Sequence, residues 1–239
     1  MAKDPYRKTA RRYDLLVEPF IKSLRTASMK MVPSKADKLV LDVGCGTGTY
    51  LNLYQKARWK VFGIDRSPAM IDIARKKLGK RAELHLGDAS HMPYSDGTFD
   101  LVVAFFALHE MPAPIRSKVV NESKRVMKKN GRILLVDYHP GPIRFPKGWI
   151  LKRVITWIEM AAGQEHFRNY RDFLACRGVF PLITEHQLSV EREKIATGGN
   201  IGFFLLTRKT HKEDQTLERK QHDINKLYRN LTYIRNCRQ

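Results

Sequence analysis

Lys38-Leu-Val-Leu-Asp-Val-Gly-Cys-Gly-Thr-Gly48 decides the architecture of this chain. Its first six residues are a short apolar run, the pattern of a buried strand. Three alternating glycines follow, and a helical stretch begins at about Tyr50. A strand that turns through glycines into a helix opens a βαβ unit. The glycines let the backbone turn sharply and approach a ligand with no Cβ in the way. The spacing departs from the dinucleotide form G-x-G-x-x-G, because the third glycine comes one residue early. The phosphate-cradling Gly-Lys-Ser/Thr loop is absent as well, so this loop is not built to hold a phosphate.

The same rhythm continues downstream. Lys60–Asp65 reads as a second strand, and Ser67-Pro68 opens a helix to about Leu78 with proline in its first turn. Ala82–Leu86 is a third strand, Phe99–Ala104 a fourth, Ile115–Met127 a helix and Gly131–Asp137 a fifth strand. Steps of about 20–30 residues between strands are the signature of a parallel sheet with helices on both faces. After Asp137 the rhythm changes, and residues 138–181 show no strand pattern. Leu188–Ile195 and Asn200–Thr207, joined through Gly198-Gly199, read as a hairpin. The expected fold is α/β: a Rossmann-like, doubly wound sheet of seven strands, mostly parallel, with an antiparallel edge hairpin. Residues 1–37 are expected to be a basic helical cover, in which Pro19 breaks or restarts the helix. Residues 38–207 form the Rossmann-like domain with a substrate-covering insertion at about 140–181, and residues 208–239 a basic tail.

Composition narrows the partners. With 43% hydrophobic and 28% charged residues the 239-residue chain holds enough apolar bulk for a sizeable core. Lys and Arg number 44 against 24 Asp and Glu, a net charge of +20 that favours anionic partners. The excess is spread: residues 1–38 hold ten basic and four acidic side chains, and residues 208–239 nine and four. Such a distribution suits an anionic membrane surface or an RNA backbone. Cys45, Cys176 and Cys237 form no CxxC pair, so neither a disulfide framework nor a metal site is expected. Residues 1–14 hold no apolar leader and no run approaches the length of a membrane span. A cytoplasmic protein, at most peripheral to a membrane, is the expectation.

Three acids define a ligand crevice. Asp65 ends the second strand 23 residues after Asp42, where a carboxylate can accept both hydroxyls of a ribose. Asp88 follows the third strand, placed to accept from an exocyclic amine while Ala89 donates from its backbone. Each acid alone could be a helix cap or a turn residue. Together with the glycines they converge on the carboxyl ends of consecutive strands, where such sheets bind ligands.

Val40–Gly48, Gly63–Met70, Gly87–Pro93, Phe99–Val103 and Gly131–Asp137, in that order, resemble the class I S-adenosylmethionine-dependent methyltransferases. They are most similar to the branch of ubiquinone and menaquinone C-methyltransferases. The resemblance covers residues 38–137 strongly and the hairpin weakly. It implies S-adenosylmethionine as cofactor and S-adenosylhomocysteine as product. It also implies that Asp42, Gly44, Cys45, Gly46 and Gly48 line the methionine part, that Asp65 binds the ribose, and that Asp88 and Ala89 bind adenine. Arg66 and Met70 would flank the adenine ring, and Phe105 would line the pocket. Tyr13 resembles a tyrosine that these enzymes fold over the cofactor. Lys128-Lys-Asn-Gly131 departs from the usual Pro-Gly-Gly turn, away from the cofactor pocket.

Methyl transfer from a sulfonium is an in-line displacement, so the protein mainly holds the acceptor about 3 Å away and aligned. A base is needed only where the acceptor must lose a proton. The candidates follow the fourth and fifth strands: His109, a base poised near neutral pH or a structural histidine, then Glu110, Tyr138 and His139. Trp149–Met160 is strongly apolar with Lys147, Lys152 and Arg153 nearby. It reads either as a lid over a hydrophobic or lipid-like acceptor or as a helix buried against the sheet. A small-molecule or lipid methyltransferase is therefore expected, with RNA methylation as the alternative that rests on charge alone. Against RNA, the fourth strand ends in Phe105-Phe-Ala-Leu108, without the Asn-Pro-Pro-aromatic motif of enzymes that methylate base amino groups.

Overall fold

A computed structural model of the chain describes Asp4, Tyr6, Arg7, residues 10–33 and residues 37–209, without the side chains of residues 11–13, 16, 17 and 20. Its elements are α1 (Ala10–Met29), β1 (Leu39–Val43), α2 (Thr49–Lys56), β2 (Lys60–Asp65), α3 (Pro68–Leu78), β3 (Ala82–Leu86), β4 (Phe99–Phe105), α4 (Ala113–Val126), β5 (Met127–Tyr138), α5 (Lys147–Ala161), α6 (Gln164–Ala175), α7 (Phe180–Glu185), β6 (Leu188–Ala196) and β7 (Ile201–Arg208). The strands form one seven-stranded sheet in the order β3-β2-β1-β4-β5-β7-β6. β1 to β5 pair in parallel, and the β6–β7 hairpin closes the edge antiparallel to β5. The expected Rossmann-like fold is the observed one.

Alternation along the strands builds two cores. Val40, Leu101, Val103, Leu134, Val136, Phe203 and Leu205 face one side, where they meet Tyr50, Leu51 and Tyr54 of α2, Ile71 of α3 and Ile155 of α5. Leu41, Val43, Val102, Ala104, Ile133, Leu135, Phe204 and Leu206 face the other, against α4 and α7. Strands buried on both faces need no polar alternation, which is why they read as continuous apolar runs. The strand order reverses between β1 and β4, and the carboxyl ends beside such a switch point are where sheets of this kind bind ligands.

Local chemistry sets the helix that frames the crevice. Ser67 caps α3 by accepting from the Met70 N–H (3.2 Å), and Pro68 occupies the first helical position, where no donor is lost.

Two expectations need correction. Pro19 neither ends nor restarts a helix, because α1 runs through it. Pro19 and Leu15 both face solvent, where the carbonyl that the missing N–H leaves free can be hydrated at little cost. The fifth strand begins at Met127 and not at Gly131. Met127 pairs with Phe99, the register shifts before Leu101, and Gly131 sits so close to the Phe99 carbonyl (3.0 Å from a built Cβ) that a side chain would crowd it. Of the proposed tail only Arg208 and Lys209 lie within the described residues. Among the described residues no helix is long and apolar enough to cross a membrane.

Candidate functional site

The glycine loop is tied to β2. The N–H groups of Gly44 and Cys45 both donate to the Ile64 carbonyl (2.9 and 3.2 Å). Gly44 and Gly46 have φ of 71° and 52°, a left-handed backbone that glycine adopts without cost. A Cβ on Gly44 would stand 3.0 Å from the Ala107 Cβ, whereas among the described residues nothing lies within 4 Å of one on Gly46. The described residues thus leave the backbone at Gly46 approachable by a ligand. Cys45 is buried beside Gly63, so its side chain belongs to the core.

Asp42, Asp65 and Asp88 stand at the carboxyl ends of β1, β2 and β3, on one edge of the sheet. Asp42 is buried and its Oδ1 has no hydrogen-bond partner among the described residues. Burial pushes its carboxyl up to about 8, with Asp65 adding to the rise and Arg25 opposing it. An orphaned buried carboxylate oxygen calls for a cationic donor, and the ammonium of the expected cofactor fits it. Asp65 accepts from the N–H groups of Gly46 and Ser67 (both 2.8 Å); burial raises its carboxyl above the ordinary range, and these two bonds oppose the rise. Asp88 is exposed and accepts from the Ser90 N–H (2.8 Å). Arg66 is exposed at the crevice rim, Ala89 is half-buried, and Met70 is buried in the first turn of α3. Phe105 packs its ring on Tyr50 (4.8 Å between centroids). Tyr13 has its side chain outside the described residues.

The N-terminal segment crosses this edge. The Asp4 carboxylate accepts from the Ser67 hydroxyl (2.9 Å) and the Ala69 N–H (3.2 Å) at the start of α3. Tyr6 donates to Glu110 (2.8 Å) beyond β4. Asp14 of α1 accepts from the hydroxyls of Thr47 and Thr49 (2.6 and 3.0 Å) and from Lys77. Burial alone would raise the Asp14 carboxyl, but the hydrogen bonds from Lys77 and the threonines outweigh it and hold it low. The helix is thereby clamped to the glycine loop.

Beyond β4 and β5 lies a second cluster. Phe106 takes a left-handed conformation (φ 53°), rare for an aromatic residue, and turns the chain into a single 3-10 turn, Leu108–Glu110. His109 points its Nδ1 at Asp137 Oδ1 (2.7 Å) and its Nε2 at Glu159 Oε2 (3.6 Å). Asp137 Oδ2 accepts from the backbone of Leu108 and His109 (3.0 and 3.2 Å), so one carboxylate fixes both turn and ring. Glu159 also accepts from Tyr138 (2.6 Å) and pairs with His166 Nε2 (2.6 Å). Burial would lower the His109 imidazole, yet the Asp137, Glu159 and Glu110 carboxylates override it and lift it to about 9. These carboxylates set His109 above the range of a base poised near neutral pH, which corrects that expectation. Glu110 is half-buried, and desolvation raises its carboxyl. His139 lies apart, its Nδ1 3.2 Å from the Gly141 N–H and the Gly199 carbonyl, and serves the hairpin.

Asp137, Glu159 and His166 escaped the sequence reading. Glu159 carried one signal, a lone acid in an apolar helix. His166 carried none.

The apolar helix α5 buries only a narrow stripe, Gly148, Ile155 and Glu159. Trp149, Ile150, Val154 and Trp157 face solvent, Trp157 at 76% exposure, with Phe145 beside the helix at 83%. Arg153 stacks on Trp149 (4.9 Å) and Lys152 lies over Tyr170 (5.9 Å). The helix thus packs on the core through Ile155 alone of its fully buried apolar side chains, and its outer apolar face is unpartnered among the described residues.

Residues 40–131 match the methyltransferase-domain family. Among curated proteins, the chain is 28% identical to demethylmenaquinone methyltransferase of Bacillus mycoides (strain KBAB4), over 71% of this chain and 75% of the relative. The enzyme of that name from Bacillus cereus (strain ATCC 10987 / NRS 248) is equally similar over the same shares. Among solved structures, a SAM-dependent methyltransferase from Aquifex aeolicus aligns over 86% of this chain and 98% of its own, with a TM-score of 0.61 at 23% identity. PH0226 protein from Pyrococcus horikoshii OT3 aligns over 87% and 100%, with a TM-score of 0.64 at 20% identity.

Proposed function

This chain is a class I S-adenosylmethionine-dependent methyltransferase, and from that premise we propose that its acceptor is a hydrophobic, quinone-like small molecule met at an anionic membrane surface. The observation that carries the reading is α5. The helix turns Trp149 and Trp157 outward and sends Glu159 inward to His109, so one element joins an apolar surface to the polar cluster beyond β4. Basic Lys147, Lys152 and Arg153 on the same helix suit anionic headgroups. The names of the curated relatives agree with a quinone-type acceptor.

When bound, S-adenosylmethionine supplies a methyl group on a sulfonium leaving group. In our reading Asp42 and the backbone of Gly44–Gly48 hold its methionine part, Asp65 its ribose, and Asp88 with Ala89 its adenine, between Arg66 and Met70. Phe105 walls the pocket, and the N-terminal segment covers it. His109 meets the acceptor. Asp137 keeps its ring in place through Nδ1, with Nε2 turned to Glu159. Trp149, Ile150, Val154 and Trp157 exclude water from the acceptor and dock the enzyme on lipid.

The test is transfer of label from methyl-labelled cofactor into a native extract. Label is expected in the lipid-soluble fraction. Label in RNA would overturn the reading in favour of a nucleic-acid acceptor.

A further inference from the structure

We infer that His109, Glu159 and His166 form a binding site for a divalent transition-metal ion of the zinc type. The three donor atoms lie within 4.8 Å of one another, and His109 and Glu159 are buried. The residues come from the turn after β4, from α5 and from α6, with no motif spacing. Only the fold brings them together.

Distances fit the assignment. Zinc bonds nitrogen and oxygen at about 2.0–2.2 Å in a tetrahedron, which puts neighbouring donors about 3.3 Å apart. His109 Nε2 and Glu159 Oε2 stand at 3.6 Å, close to that spacing. His166 Nε2 and Glu159 Oε2 stand at 2.6 Å, a hydrogen bond whose proton a metal would replace.

A second observation is the shell behind the donors. Histidine ligands present one ring nitrogen to the metal and donate the other N–H to a carboxylate or carbonyl, and ligating carboxylates are themselves hydrogen-bonded. Both features are present, at His109 and at Glu159. Asp137 engages His109 Nδ1 at 2.7 Å, which leaves Nε2 facing Glu159. Tyr138 engages Glu159 Oε1 at 2.6 Å, which leaves Oε2 facing both histidines. Tyr138 and Tyr170 stand edge-on to the His109 ring (4.7 and 6.4 Å), an aromatic wall that keeps the site dry. Three protein ligands leave a fourth position, the pattern of metal sites that bind a substrate oxygen. An acceptor oxygen would take that position, and this one clause rests on the acceptor reading. The metal site does not.

A hydrogen-bonded network without metal would hold α5 and α6 to β4 with the same residues, so the experiment must separate the two. The tag-free full chain, dialysed against chelator, is titrated with Co2+ and followed by its visible d–d absorption, then competed with Zn2+. We expect saturation at about one equivalent with the intense bands of a tetrahedral site. Glu159→Gln and His166→Gln should weaken binding at least about 100-fold, and Asp137→Asn, a positioning residue, about 10–100-fold. His186→Gln, which alters a His–Glu pair outside this donor set, should bind as wild type. Should Glu159→Gln fail to fold, His166→Gln at its partly exposed position decides the matter. A wild-type chain that takes up no stoichiometric Co2+, or a His166→Gln chain that binds it equally well, overturns the site. Metal binding without label in lipid would leave the site standing and remove the acceptor reading alone.

Discussion

Gly46 donates its backbone N–H to Asp65 Oδ2 at 2.8 Å, so the glycine loop after β1 is latched to the acid that ends β2. Ser67 holds the other oxygen at 2.8 Å. The carboxylate that we propose for the ribose is therefore oriented before any ligand arrives.

Asp65→Ala should weaken binding of S-adenosylhomocysteine by at least about 100-fold, since charge-assisted hydrogen bonds contribute about 1.5–3 kcal/mol each. Calorimetry with the product measures it. An affinity equal to wild type would remove Asp65 from the ribose role.

Asp42 makes a pH prediction. Burial, with Asp65 adding and Arg25 opposing, raises its carboxyl from 3.8 to about 8 in the folded chain. Its contribution to stability is present below about pH 4 and is lost as pH rises through about 8. Asp42→Asn should flatten the stability profile across that window, measured by urea unfolding, while cofactor binding falls. A cofactor ammonium beside Asp42 favours the carboxylate, so binding should release a proton between pH 6 and 7.5. Calorimetry in buffers of different ionisation enthalpy detects this release, and buffer-independent heats would contradict the pairing.

The outward tryptophans should act on the acceptor side alone. Trp149→Gln and Trp157→Gln are each expected to lower partition onto anionic vesicles about tenfold, from roughly 1.5 kcal/mol of lost burial. Cofactor affinity should not change. Vesicle co-sedimentation beside calorimetry checks both halves, and unaltered sedimentation would detach α5 from the membrane.

Gly148 anchors α5. The backbone of its first turn rests directly on Gly198 in the hairpin turn, and a Cβ there would overlap the Gly198 carbonyl. Asn200 adds a bond to the Gly148 carbonyl at 2.8 Å. Gly148→Ala should cost about 1–3 kcal/mol of stability through overpacking. It should also impair methyl transfer more than cofactor binding, because α5 carries Glu159 and the tryptophans. Thermal melts and paired activity and binding assays provide the check.

The sequence by itself determined the sheet. Val40–Val43, Val61–Asp65, Leu101–Phe105 and Ile133–Val136 are apolar runs that only a doubly covered parallel sheet can bury, and the glycines after Val43 leave one way to turn. Asp42, Asp65 and Asp88 were legible for the same reason: strand ends are local features, and parallel strands put their carboxyl ends on one edge. Tertiary structure alone decided the partners of His109. Asp137 lies 28 residues away, and Glu159 and His166 arrive on α5 and α6, so no local pattern announces them. It also decided which side of α5 faces out. Apolar residues nearly encircle that helix, leaving its periodicity mute, and the burial of Glu159 against His109 and Tyr138 sets the rotation. Long-range pairing of charges belongs to the folded chain, because it depends on distances that the order of residues does not contain.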